Sequence, residues 1–159
     1  MTVTPPWHPQ AALSGSTYSA AELSHQNDRV FLLEQRELPV HETYHTYMTV
    51  KAVAGAIKTM VVRGAPAIGI TAAYGMVLAA CDAVPLDAGG YLETMRDAGE
   101  TLNASRPTAV NLAWAVKKCM ALADDHAKLP GAERWEAMAA LARQIHVEDV
   151  EACRAMGRI

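Results

Sequence analysis

Apolar residues fall in short clusters along the first third of the chain and recur every three to four positions along the rest. Between Ser16 and Tyr47 the texture is that of strands. Asn27-Asp28 marks a turn, Val30-Phe31-Leu32-Leu33 is a continuous apolar run, and Pro39 interrupts before the Val-, Thr- and Tyr-rich stretch Val40–Tyr47. A small antiparallel sheet is predicted there. Ahead of it, Met1–Ser14 contains Thr4-Pro5-Pro6-Trp7-His8-Pro9, which suits an extended lead-in.

From Thr49 onward the period is helical. Thr49 can cap a helix that places Val50, Val53, Ile57, Met60 and Val61 on one face. A second helix opens at Pro66 and runs to about Ala83, with Pro85 as its stop. Asp87 can cap a third, whose inward stripe is Tyr91, Leu92, Met95, Ala98 and Leu102. Asn103–Thr108 breaks that helix and starts a fourth at Pro107, which reaches about His126. Its first half is apolar nearly all round (Val110, Leu112, Trp114, Val116), so it is predicted to lie deep. After the turn Leu129-Pro130-Gly131, a long last helix turns Trp135, Met138, Leu141 or Ala142, and Ile145 inward, with Gly157 as a C-terminal cap. The fold class is α+β: a lead-in and small antiparallel sheet over residues 1–48, then a five-helix, bundle-like body over 49–159.

Composition narrows the function. A formal charge of −3 speaks against a nucleic-acid binder, which would carry a basic face. The N-terminus lacks the charged-then-apolar order of a secretory leader. The three cysteines, Cys81, Cys119 and Cys153, are odd in number and widely spaced, as in reduced cytoplasmic proteins. Gly64–Cys81 carries no charge and nearly reaches membrane-spanning length. It is rich in Ala, Gly and Thr rather than large aliphatics, so a buried central helix is expected and no membrane contact.

The chemistry concentrates at Arg63-Gly64-Ala65-Pro66. A helix start presents backbone N–H groups and a positive dipole end to an anion. Arg63 adds a fork of donors matched to phosphate or carboxylate, and Gly64 lets the backbone approach a ligand. Arg106-Pro107-Thr108 repeats the same order. A lone arginine near a turn is ordinarily a surface residue. Two arginines placed ahead of uncharged, positive helix ends oppose the dipole, and a bound anion relieves that conflict.

Other motifs carry less. His41-Glu42-Thr43-Tyr44-His45 matches a zinc-protease pattern, but its β-prone flanks would send Glu42 to the opposite face from both histidines, so no metal is expected. Gly64–Thr71 imitates a phosphate-binding P-loop but has isoleucine where lysine is required. The cysteines sit in apolar helices away from activating partners and read as structural. His126 and His146 read as surface or helix-end residues.

Val61–Met76 and Ser105–Leu112 closely resemble the signatures of the S-methyl-5-thioribose-1-phosphate isomerases, and Leu32–Pro39 and Ile145–Asp149 resemble weaker stretches of the same proteins. The wider superfamily includes ribose-1,5-bisphosphate isomerases and regulatory subunits of the translation-initiation exchange factor. The resemblance implies aldose–ketose isomerisation of a phosphorylated sugar in methionine salvage, without an organic cofactor. It implies substrate contacts at Arg63, Gly64, Ala65 and Arg106. It also implies a catalytic cysteine and aspartate in a following Rossmann-like domain. None of the present cysteines matches that cysteine, so no catalytic residue is assigned in this chain, and the chain alone is expected to be inactive. The apolar surface that the missing half leaves open could drive self-association as a homodimer, and the sequence does not fix the oligomeric state.

Overall fold

The computed structural model describes residues 20–37, 40 and 43–157. The expected lead-in, His41 and Glu42 of the histidine motif, and the Cys153 side chain lie outside the described part. Strands β1 (Ala21–Leu23), β2 (Val30–Leu33) and β3 (Tyr44–Tyr47) form an antiparallel sheet in the order β1-β2-β3. Ala21 pairs with Leu32, and Leu33 with Tyr44. All four residues of β2 are buried, as an uninterrupted apolar run requires when both faces of a strand are covered. The β1–β2 turn closes on Ser24, whose hydroxyl accepts the N–H groups of Asp28 and Arg29. Asn27 takes the left-handed conformation that asparagine tolerates (φ 62°).

Five helices follow: α1 (Val50–Lys58), α2 (Ala65–Asp82), α3 (Ala88–Ser105), α4 (Val110–His126) and α5 (Gly131–Gly157). The α+β architecture of small sheet and five-helix body is as the patterning predicts. Thr49 and Asp87 cap as expected, accepting the N–H groups of Ala52 and Gly90. Helix α2 is the axis of the molecule. Every residue from Ile68 to Ala80 is buried, and α1, α3, α4, α5, β1 and β2 all pack on it. It is long and apolar enough to cross a membrane, yet its surface is taken up by these neighbours.

Several expectations are corrected. Met60 is not part of the inward face of α1. The helix ends at Lys58, and the N–H groups of Met60 and Val61 return to the carbonyls of Ile57 and Ala56. That is the Schellman closure, with methionine in the left-handed position glycine usually fills (φ 67°) and 43% exposed. Pro66 is the second residue of its helix rather than the first. Pro107 does not open α4. Arg106 precedes a proline and is driven to extended backbone (φ −146°), which ends α3, while α4 begins only after Ala109.

The first half of α4 is not deep either. Leu112, Ala115, Val116, Cys119 and Ala123 form its single buried face, whereas Val110 is 78% and Trp114 47% exposed. Lys118 lies over the Trp114 ring instead. His146, expected at the surface, is buried, with Nδ1 2.5 Å from the Tyr74 hydroxyl.

At the C-terminal ends of α2 and α4 the core is closed by one side chain. Arg134 of α5 is buried and donates to the carbonyls of Ala83, Leu86 and Ala127, while its guanidinium lies 4.3 Å from the Tyr91 ring centroid. Ala83 and Ala127 are the C-caps of α2 and α4, so a cation there meets the negative ends of two helices. Gly131 begins α5 tight against Val84: a Cβ at this position would lie 1.9 Å from the Val84 carbonyl oxygen.

Candidate anion-binding corner

The opposite, N-terminal ends of α2 and α4 also lie side by side. Gly69 of α2 meets the backbone of Asn111 so closely that a Cβ would stand 3.1 Å from its carbonyl oxygen. A cleft of about 220 Å³ opens there. Pro66, Gly69 and Ile70 line it from α2, Asn111 and Trp114 from α4, and Ile145, Glu148 and Asp149 from α5.

Gly64 is the N-cap of α2 in a positive-φ conformation (91°) that suits glycine alone, and no side chain caps the helix. Arg63, Gly64, Ala65 and Pro66 are exposed. Arg63 is fixed from behind by Gln35, whose Oε1 accepts its backbone N–H (2.8 Å) and whose carbonyl accepts from Nη2 (3.3 Å). Among the described residues no carboxylate lies within ion-pair distance of Arg63. Arg106 is half-buried in the turn that leads to α4, and its side chain has no hydrogen-bond or ion-pair partner among the described residues.

Gln35 itself is held firmly. It starts a 3-10 turn (Gln35–Glu37), and its N–H donates to Val61. Next to it the Glu34 carboxylate is 1% exposed and takes a two-pronged grip from Arg36 at 2.7 and 2.8 Å. That pairing holds the Glu34 carboxyl below its usual range in spite of burial. Arg36 also reaches the Thr59 carbonyl. His45, from the histidine motif, lies 3.5 Å from Glu34.

The electrostatics divide the site. Helix starts and guanidinium groups favour an anion on the Arg63–Gly64 side. Inside the cleft, Glu148 and Asp149 repel one, and burial raises the Asp149 carboxyl above its ordinary value. Carboxylates and the Asn111 amide can instead accept from hydroxyl groups. The arrangement suits a ligand with an anionic end and a polyol body. Cys119, by contrast, is buried with its thiol pushed up to about 12, as an inert core residue.

A helix does start just after Arg63-Gly64, with Ala65 rather than Pro66 as its first residue. The reading passed over Gln35, Asn111, Glu148 and Asp149, although each lies within a stretch that carries the resemblance. Their signal was proximity in sequence to a motif; what they touch is a property of the fold.

Fold and site together define a domain of a small sheet and five helices in which the starts of α2 and α4 lie side by side. Residues 61–159 match the Initiation factor 2 subunit family, and the chain belongs to that family. Among individual relatives it is similar to methylthioribose-1-phosphate isomerase of Geobacter sulfurreducens, 38% identical over 84% of this chain and 38% of that protein. The enzyme of the same name from a Synechococcus species is 45% identical over 79% of this chain and 36% of that protein. The crystal structure of 5-methylthioribose 1-phosphate isomerase from Pyrococcus horikoshii superposes with a TM-score of 0.78 at 37% identity, over 84% of this chain and 37% of that one. Subunit delta of translation initiation factor eIF-2B from A. fulgidus superposes with a TM-score of 0.75 at 31% identity, over 83% and 37%. The chain thus spans 36% to 38% of the length of these relatives.

Proposed function

We propose that this chain is the N-terminal, substrate-binding half of an isomerase that converts the aldose 5-methylthioribose 1-phosphate into the ketose 5-methylthioribulose 1-phosphate. What carries the reading is the 38–45% identity to isomerases of that name over about four-fifths of the chain. Arg63, Gly64 and Ala65, with the start of α2, take the phosphate, and Arg106 reaches the same ligand from the α4 side. The sugar hydroxyls lie toward Asn111 and the α5 carboxylates. The groups that move the proton or hydride belong to a following Rossmann-like domain, and no step requires an organic cofactor. On its own the chain binds weakly and does not turn substrate over, because half of a closing cleft buries little of a ligand.

Titrating the chain with 5-methylthioribose 1-phosphate while recording backbone amide NMR shifts tests this. Shifts are expected at residues 63–69 and 109–111, weakened in Arg63→Ala and in Arg106→Ala. Absence of shifts at both helix starts overturns the reading, and ketose formation by the chain alone overturns the division of labour. The likeness to the eIF-2B subunit favours a second reading, a non-catalytic sensor of sugar phosphates or nucleotides. A purine nucleotide that moves the same amides at lower concentration than the sugar phosphate would select it.

A further inference from the structure

We infer that Gln35 is the positioning residue for Arg63, holding its backbone and its guanidinium at the α2 start through one neutral acceptor each, so that the positive charge stays available to the ligand. This rests on the proposed role of Arg63.

Two contacts tie the residues together, one to the Arg63 backbone at 2.8 Å and one to its guanidinium at 3.3 Å. The Gln35 N–H donates to the Val61 carbonyl, so Gln35 grips the backbone on both sides of Val62. The turn carrying Gln35 cannot drift, because Arg36 binds the buried Glu34 carboxylate on one side and the Thr59 carbonyl on the other. Segment 59–63, from the end of α1 to the site, is therefore pinned at Thr59 by Arg36 and at Val61 and Arg63 by Gln35. Its own Schellman closure over Met60 and Val61 fixes the remaining freedom.

The choice of residue type matters. An exposed arginine keeps much of its rotamer entropy, which binding must remove unless the side chain is already oriented. A carboxylate at position 35 would orient it equally well but would neutralise it. The amide holds the Arg63 backbone and the Gln35 carbonyl holds the guanidinium, and neither brings an opposing charge. Glu34 precedes Gln35 and Glu37 follows two residues later, yet it is the uncharged Gln35 whose amide oxygen accepts from Arg63.

The test compares Gln35→Glu, Gln35→Ala and Arg63→Ala in the same NMR titration with 5-methylthioribose 1-phosphate, alongside thermal unfolding of each. Gln35→Glu keeps the size and the acceptor. It is expected to fold with unchanged or higher Tm, yet to weaken binding by about tenfold, with recovery when the carboxylate is protonated at low pH. Gln35→Ala is expected to weaken binding by roughly threefold to tenfold, the worth of one hydrogen bond. If Gln35→Glu binds as the wild type does, Gln35 is merely structural and the inference fails. If Arg63→Ala also binds unchanged, the fault lies instead with the role given to Arg63.

Discussion

The two ends of the α2–α4 pair each carry an arginine, and they treat it oppositely. Arg134 sits at the C-terminal ends, where the dipoles welcome a cation. It is buried, stacked on Tyr91 and bonded to three carbonyls. Arg63 sits at the start of α2, where the dipole opposes it, and it is exposed with no carboxylate partner among the described residues. One end is sealed by its own side chains. The other leaves Arg63 and the uncapped start of α2 exposed. The lesson is that residue type alone does not mark a site: the same guanidinium is a rivet where three carbonyls and a ring enclose it, and an exposed cation beside one backbone carbonyl at the start of α2.

The largest effects should come from the sealed end. Arg134→Met strands three carbonyls in the core and is expected to cost on the order of 3 kcal/mol, a fall in Tm of about 6–12 °C. Gly131→Ala must push α5 off Val84 and should cost about 2 kcal/mol or more in urea unfolding. Were either variant as stable as the wild type, the sealed end would not be the structural one.

Between the ends, His146 supplies a pH signature. Burial against Tyr74 lowers its pKa from 6.5 to about 4. The unfolded chain then takes up a proton that the folded chain refuses, so this contribution to stability is complete above pH 6.5 and is lost as pH falls toward 4. The loss is about 3 kcal/mol over that window. Glu22 and Arg143 act on the same Tyr74 hydroxyl, so the acid limb belongs to a cluster. His146→Asn, which can still accept from Tyr74 but does not titrate, should flatten the limb in pH-dependent urea unfolding.

Smaller effects belong to the exposed end. Met60→Gly relieves the left-handed methionine and should stabilise by about 0.5–1 kcal/mol. Arg63→Ala should change stability by less than about 0.5 kcal/mol while weakening sugar-phosphate binding, the reverse of Arg134→Met. That pair of outcomes is the sharpest statement of the contrast.

Much of this was legible in the sequence. Helix caps at Thr49 and Asp87, the axial position of α2 and the helix start after Arg63-Gly64 all follow from local chemistry that acts within one turn of chain. What was not legible depended on partners distant in sequence. Arg134 shows no sign in its own neighbourhood that it will meet Ala83 and Leu86. His146 becomes a core residue only because α5 crosses Tyr74. Val110 and Trp114 are apolar enough for a core position, but α4 has a single packed face and the pattern did not say which one. Pro107 misled because a proline can end the preceding helix as readily as it can open the next.

Helix α5 touches both ends, with Gly131 wedged at one and Asp149 lining the cleft at the other. It works as a ruler with a fixed zero mark. One residue inserted between Arg134 and Ile145 would swing everything beyond it by about 100° and lengthen the helix by ~1.5 Å, turning the carboxylates away from the cleft. The spacing between those two contact points is therefore a dimension that evolution can change only in near-whole turns.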